Sequence, residues 1–146
     1  MTRVDFYILE EPAEQVRLTL ACRLCDKAFR LGHRVYVHAP DAQAAAQLDQ
    51  TMWTFNAGSF VPHSLAALPA DYPEGAPAPV LIGHGDEPPD EHWDLLVNTA
   101  TDVPLFFSRY RRVAEVIGGD DAQRDAGRAR YRFYRDRGYE LHSHRL

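Results

Sequence analysis

Two hydrophobic periods alternate along this chain, and each change of period marks a change of element. Residues 3–9 (R-V-D-F-Y-I-L) gather β-branched and aromatic side chains into a short run, the pattern of a strand. From Glu14 to Leu31 the spacing becomes helical. Leu18, Cys22, Cys25 and Phe29 recur on one stripe, and Leu20, Leu24, Ala28 and Leu31 widen it. That pattern predicts a long helix buried over much of its surface, entered through Pro12 and stopped by Gly32. Arg34 to His38 (R-V-Y-V-H) reads as a second strand. Strand, helix and strand in so short a stretch predict a parallel, right-handed crossover.

Asp41 is placed to cap a second helix running through Met52. The segment Trp53–Ser64 carries two large aromatics, Trp53 and Phe60, followed by Val61-Pro62-His63. Pro62 has no N–H to give a central strand, so an edge, turn or surface segment is expected there. Leu65 to Gly75 has the composition of a loop, 76–81 lead into a short strand at Ile82, and Gly83 to Asp94 form an acidic loop. Leu95 to Asn98 reads as a buried strand, Phe106 to Arg112 as a helical turn or short helix, and Val113 to Ile117 as a further strand.

The last helix is expected over Asp121–Arg137, with Asp120 or Asp121 as N-cap behind a glycine pair and Gly138 as a left-handed stop. At ~100° per residue, Ala122, Ala126, Ala129 and Phe133 share one face, the expected core face. Arg124, Arg128, Tyr131, Arg132 and Arg135 lie roughly opposite, as a cationic and aromatic stripe facing solvent. Tyr139 to His144 alternates and predicts a final edge strand. The succession predicts one α/β domain over residues 1–146: a three-layer sandwich with a mostly parallel central sheet, Rossmann-like in a loose sense.

Composition narrows the function. A chain of 146 residues buries roughly 68–70% of its unfolded surface and needs no covalent staples. There is no apolar run of about 18 residues and no basic-then-apolar leader, so neither a membrane span nor a signal peptide is expected. With only two cysteines and no export signal, the expected compartment is the cytoplasm. The net charge of −5 argues against bulk electrostatic binding of duplex DNA. Yet charge is partitioned. Residues 109–146 hold 10 of the 16 basic and 6 of the 21 acidic residues, a net of +4 against −9 for the rest. Every cation in that stretch is arginine, whose planar fork suits carboxylates and stacks on rings. Such a face suits an acidic peptide, ideally one ending in a free carboxylate.

Catalytic signatures are missing. The first strand runs into L-E-E-P-A-E rather than a glycine-rich phosphate loop, and two carboxylates there would repel a phosphate. Neither G-x-S-x-G nor H-E-x-x-H occurs. Cys22 and Cys25 fall mid-helix without a second pair, which reads as buried thiols rather than zinc or redox chemistry. His84, Asp86, Asp90, Glu91 and His92 carry ligand-type side chains, but Pro88 and Pro89 intervene and a solvated loop is expected. His142 and His144 read as a polar tail, and His63 has no evident nucleophile or orienting carboxylate nearby. No catalytic residue, metal or cofactor is expected. Two surface features remain: the Arg/Tyr helix face, and the aromatic segment Trp53, Phe60, Val61 and Pro62. A Rossmann-type nucleotide-binding enzyme, and a direct binder of single-stranded nucleic acid through the same arginines, stand as alternatives.

The residues carry a resemblance. F-Y-I-L at Phe6–Leu9, G-x-R-V at Gly32–Val35, A-x-x-L-D at Ala45–Asp49, M-W at Met52–Trp53, S-F-V-P-H at Ser59–His63 and R-x-R-Y-R-x-Y-R at Arg128–Arg135 are similar to the chi subunit family of bacterial DNA polymerase III. These are accessory subunits of the clamp-loader assembly. The resemblance implies a non-catalytic adaptor with a Rossmann-like fold, touching DNA only indirectly. It implies binding of the acidic C-terminal tail of single-stranded-DNA-binding protein at positions matching Arg124, Arg128, Tyr131 and Arg132, with Ile117 a candidate pocket for the tail's last ring. It implies a 1:1 pairing with a psi subunit, where one is present, through an aromatic surface similar to Trp53, Phe60, Val61 and Pro62. A helicase-like repair protein competes for that surface in some members. The proline-rich acidic stretch Ala66–Pro89 and the ending H-S-H-R-L depart from the family pattern.

Overall fold

The computed structural model describes residues 1–56, 58, 60–65, 73, 75–89 and 93–146. Within them, β1 (Arg3–Ile8), α1 (Glu14–Arg30), β2 (Val35–Ala39), α2 (Ala42–Thr54), β3 (His63–Leu65), β4 (Val80–His84), β5 (Leu95–Asn98), a 3-10 turn (Phe107–Arg109), β6 (Arg112–Ile117), α3 (Asp121–Asp136) and β7 (Glu140–Arg145) follow in order. The seven strands form one sheet in the order β3-β4-β2-β5-β6-β1-β7. Every pairing is parallel, so the sheet is wholly rather than mostly parallel. β1 and β2 are not neighbours: β5 and β6 insert between them. The Trp53–Ser64 segment runs into the edge strand β3, and just before that strand the carbonyl of Pro62, a group proline can still offer, accepts the amide of Val80.

Strand alternation divides the core in two, and this makes the sandwich three-layered. Val35, Val37 and Ala39 of β2, with Val80, Ile82, Val97, Ala114 and Val116, pack against α1 and α2. Tyr36, Leu81, Leu96, Val113 and Ile117 point the other way, onto the aromatic turn of Phe106, Phe107 and Tyr110 and onto Tyr134 of α3. Parallel strands covered on both faces read as continuous apolar runs, which is why Leu95–Asn98 stood out in the sequence.

Local chemistry fixes where α3 starts and stops. The Asp120 carboxylate accepts the amide of Gln123 at 2.7 Å as N-cap, and Gly138 adopts φ 79° beyond the last turn. Gly119 packs so closely on the β1–α1 connection that an added Cβ would sit 2.0 Å from the carbonyl oxygen of Glu10. The entry to α3 is thus pressed onto the end of β1.

The expected core face of α3 is corrected in part: Phe133 packs against the aromatic core and Ala126 is half-buried. Ala122 and Ala129 are exposed; the buried residues are Gly127, Arg130 and Tyr134. The helix is rotated because its inner face is polar. Glu115, wholly buried on β6, takes Nε of Arg130 at 2.8 Å, the Tyr134 hydroxyl at 2.6 Å and the Asn98 amide at 3.0 Å. Arg130 also reaches the carbonyl of Thr101 at 2.8 Å. Burial pushes the Glu115 carboxyl above its ordinary value, and Arg130, Tyr134 and Asn98 pull against that shift.

Candidate functional site

The rotation of α3 opens a groove between the helix and the β1–β7 edge of the sheet. Phe6 and Ile8 of β1 supply one apolar wall. Ile117 and Gly127 form the floor, and Arg124, Arg128, Tyr131 and Arg145 form the rim of a cavity of about 190 Å³. Gly127 is needed for this depth: a Cβ there would come within 2.9 Å of Cδ1 of Ile117. The Tyr131 ring leans on Phe6, with centroids 5.3 Å apart, and stays partly exposed.

The groove is electrostatically open. Among the described residues Arg128 pairs with Asp125 alone, at 3.0 Å, in a surface pair whose two side chains are 64% and 77% exposed. Such a pair contributes roughly 0–1 kcal/mol and yields readily to a better carboxylate. Nε of Arg124 is buried without a hydrogen-bond partner among the described residues, so the groove holds a donor that lacks an acceptor. The structure therefore brings Ile117, Arg124, Arg128 and Tyr131 around one cavity. Arg132 is exposed on α3 but does not line it.

Phe6, Ile8, Gly127 and Arg145 were not among the expected site residues. Phe6 and Ile8 share one face of β1 by strand alternation, and the register Ile8↔Arg145 carries that face across to β7. Only the pairing of β7 with β1 could reveal the last of these.

A second surface lies at the opposite edge, beside β3. Trp53, at the end of α2, is 56% exposed and Phe60 is 68% exposed, with ring centroids 5.5 Å apart. The edge of His63 packs on Trp53 at 4.5 Å. Val61 sits beneath them in the core, and Pro62 is half-buried. Ser59 of the pentapeptide lies outside the described residues. The carboxylate that sequence alone did not show is Asp49 of α2, 3.2 Å from Nε2 of His63. The His63 side chain is fully buried there, with Nδ1 2.7 Å from the carbonyl of Val61, so the pair ties the start of β3 to α2 beside Trp53.

The remaining candidates fall into place. Both cysteines are fully buried; burial pushes the Cys22 thiol up to about 12 and Cys25 well above its ordinary value, so neither is a thiolate nucleophile. Among the described residues no three ligand-type side chains gather as a metal site; Asp90, Glu91 and His92 lie outside them. His144 stacks on Tyr7 and sits 3.0 Å from the Asp5 carboxylate, which makes it part of the sheet rather than a loose tail. No helix among the described residues is long and apolar enough to cross a membrane.

Comparison with known proteins agrees with the fold and with the motifs. In overall shape the chain is similar to the crystal structure of T4 UvsW, with a TM-score of 0.66 at 7% identity, over 99% of this chain and 41% of that one. A likeness at that identity speaks for the α/β fold alone. The model of the family described as DNA polymerase III chi subunit, HolC, matches residues 1–142. DNA polymerase III subunit chi of Pseudomonas aeruginosa is 45% identical, covering 100% of this chain and 98% of its own length. The subunit of the same name from Escherichia coli is 29% identical over 98% of this chain and 97% of its own. The expectation of an accessory rather than a catalytic chain agrees with these subunit names. A family match from the first residue to 142, joined by a relative alike along its whole length, places this chain in the DNA polymerase III chi subunit family.

Proposed function

We propose that this protein is a non-catalytic adaptor whose α3 groove binds the acidic C-terminal tail of single-stranded-DNA-binding protein. The observation that carries this reading is the groove itself: an apolar floor of Ile117 and Gly127, ringed by Arg124, Arg128 and Tyr131. The terminal aromatic ring of the tail fills the floor. Its carboxylates take the unpartnered Nε of Arg124 and displace Asp125 from Arg128. Charge-assisted hydrogen bonds of this kind contribute roughly 1.5–3 kcal/mol each before the ordering of the tail is subtracted. The exposed Trp53–Phe60 pair at the other edge is the docking face for a psi subunit. Two exposed aromatic rings in contact with each other are what an interface anchors on.

Calorimetric titration with an acidic peptide ending in Asp-Phe tests the tail reading. Binding in the micromolar range, weakened by salt and by amidation of the peptide's C-terminus, is the expected result. Equal binding of the free and amidated peptides would refute the role given to the terminal carboxylate.

A further inference from the structure

On the other face of the sheet from the α3 groove, the end of α1 overhangs the first residues of β5 and β6 and leaves a cavity of about 260 Å³. Its lining is largely apolar: Leu24, Ala28 and Leu31 from the helix side, Leu95 and Ala114 from the strands, with Tyr7 of β1 beside them. Leu31 stays 65% exposed at the mouth. The rim carries the cations Lys27, Arg111 and Arg112, with His33 beside them. Arg112 is committed to Asp5 at 2.9 Å, but Lys27 and Arg111 form no ion pair among the described residues. The one carboxylate in the lining, Asp94, already accepts the amide of Arg34 at 2.7 Å.

We infer that this cavity is a second docking site, taking an acidic segment of a partner protein that presents one bulky apolar side chain. Three features select that occupant. The volume falls below the ~300 Å³ at the small end of ligand pockets, which suits one side chain and not a cofactor. Five aliphatic side chains line the hole, so an aliphatic or phenyl group enters without leaving a polar edge unpaired against them, as a nucleobase would. Lys27 and Arg111 supply unpaired cations for carboxylates flanking that side chain. The site is independent of the α3 groove, because the sheet separates them, so one chain can hold two acidic segments at once.

The test uses the full chain, isotope-labelled, and an acetylated, amidated peptide Asp-Asp-Gly-Phe-Asp-Asp. Blocking the peptide's C-terminus removes the terminal carboxylate that the α3 groove is proposed to read. The expected result is saturable amide shifts at Leu24, Ala28, Leu95 and Ala114, in wild type and Arg128→Ala alike. Arg111→Glu, at an exposed position, should weaken binding by about ten-fold or more with an otherwise unchanged spectrum. Ala28→Leu, which fills the hole without touching charge, should weaken it as well. Shifts confined to Gly127 and Tyr131, or no shifts, would overturn the inference. So would displacement of the peptide by an equal concentration of an oligothymidylate, which would make the patch a nucleic-acid surface.

Discussion

A wholly buried carboxylate is tolerable only when donors surround it, and Glu115 has a guanidinium, a phenol and an amide at hydrogen-bond distance. Removing one partner leaves the charge stranded. Arg130→Ala should therefore destabilise the protein by about 3–5 kcal/mol in urea unfolding, whereas Arg128→Ala should stay within about 0.5 kcal/mol. Asp5 is the second such residue. Burial alone would raise its pKa, but hydrogen bonds from His144, Arg3 and Arg112 outweigh it and hold the carboxyl below its ordinary 3.8. A depressed folded pKa contributes stability that is present above the unfolded value and is lost as pH falls through the folded one. Thermal unfolding of wild type should thus show an acid-side decline, beginning near 3.8, that is shallower in Asp5→Asn. At this scale the sequence was hard to read. Arg130 sits among six other arginines between Arg124 and Arg145, and nothing in its hydropathy separates the one that is buried. Its burial follows from Glu115 on a distant strand.

The elements themselves were legible, because their periods are strong. β5 was read with the bounds it has, and the caps of α3 at Asp120 and Gly138 follow from residue type alone. Two features were not legible. The three-residue edge strand β3 is too short to show a period, and the insertion of β5 and β6 between β1 and β2 is a property of the sheet that no local pattern encodes. The facing of α3 failed for a related reason: alanine looks like core and arginine like surface until the opposite layer is known. Gly127 shows what depends on that facing. Gly127→Ala would gain about 1 kcal/mol in helix propensity yet push a methyl group onto Ile117. The expected outcome is a several-fold loss of affinity for the acidic peptide with little change in melting temperature, read by titration and thermal unfolding side by side.

Over the whole molecule, the basic C-terminal segment and the aromatic pair lie at opposite edges of one sheet. On the proposed reading, the parallel sheet between them serves as the spacer of an adaptor. The motifs that pointed to the family, W at 53, F-V-P-H at 60–63 and R-x-R-Y-R-x-Y-R at 128–135, mark those two edges. In pull-downs from lysate, Arg128→Ala and Phe60→Ala should each lose a different partner and keep the other. Loss of both partners by either variant would mean the two faces are not independent.

The reading of the α3 groove rests on arginines that are open to a ligand rather than consumed by the fold. Its most direct test is titration of the peptide ending in Asp-Phe into wild type and Arg128→Ala, with thermal unfolding of both proteins measured in parallel. Loss of most binding at an unchanged melting temperature is the predicted result. Undiminished binding by Arg128→Ala, or a fall in binding that merely tracks a fall in stability, would contradict it.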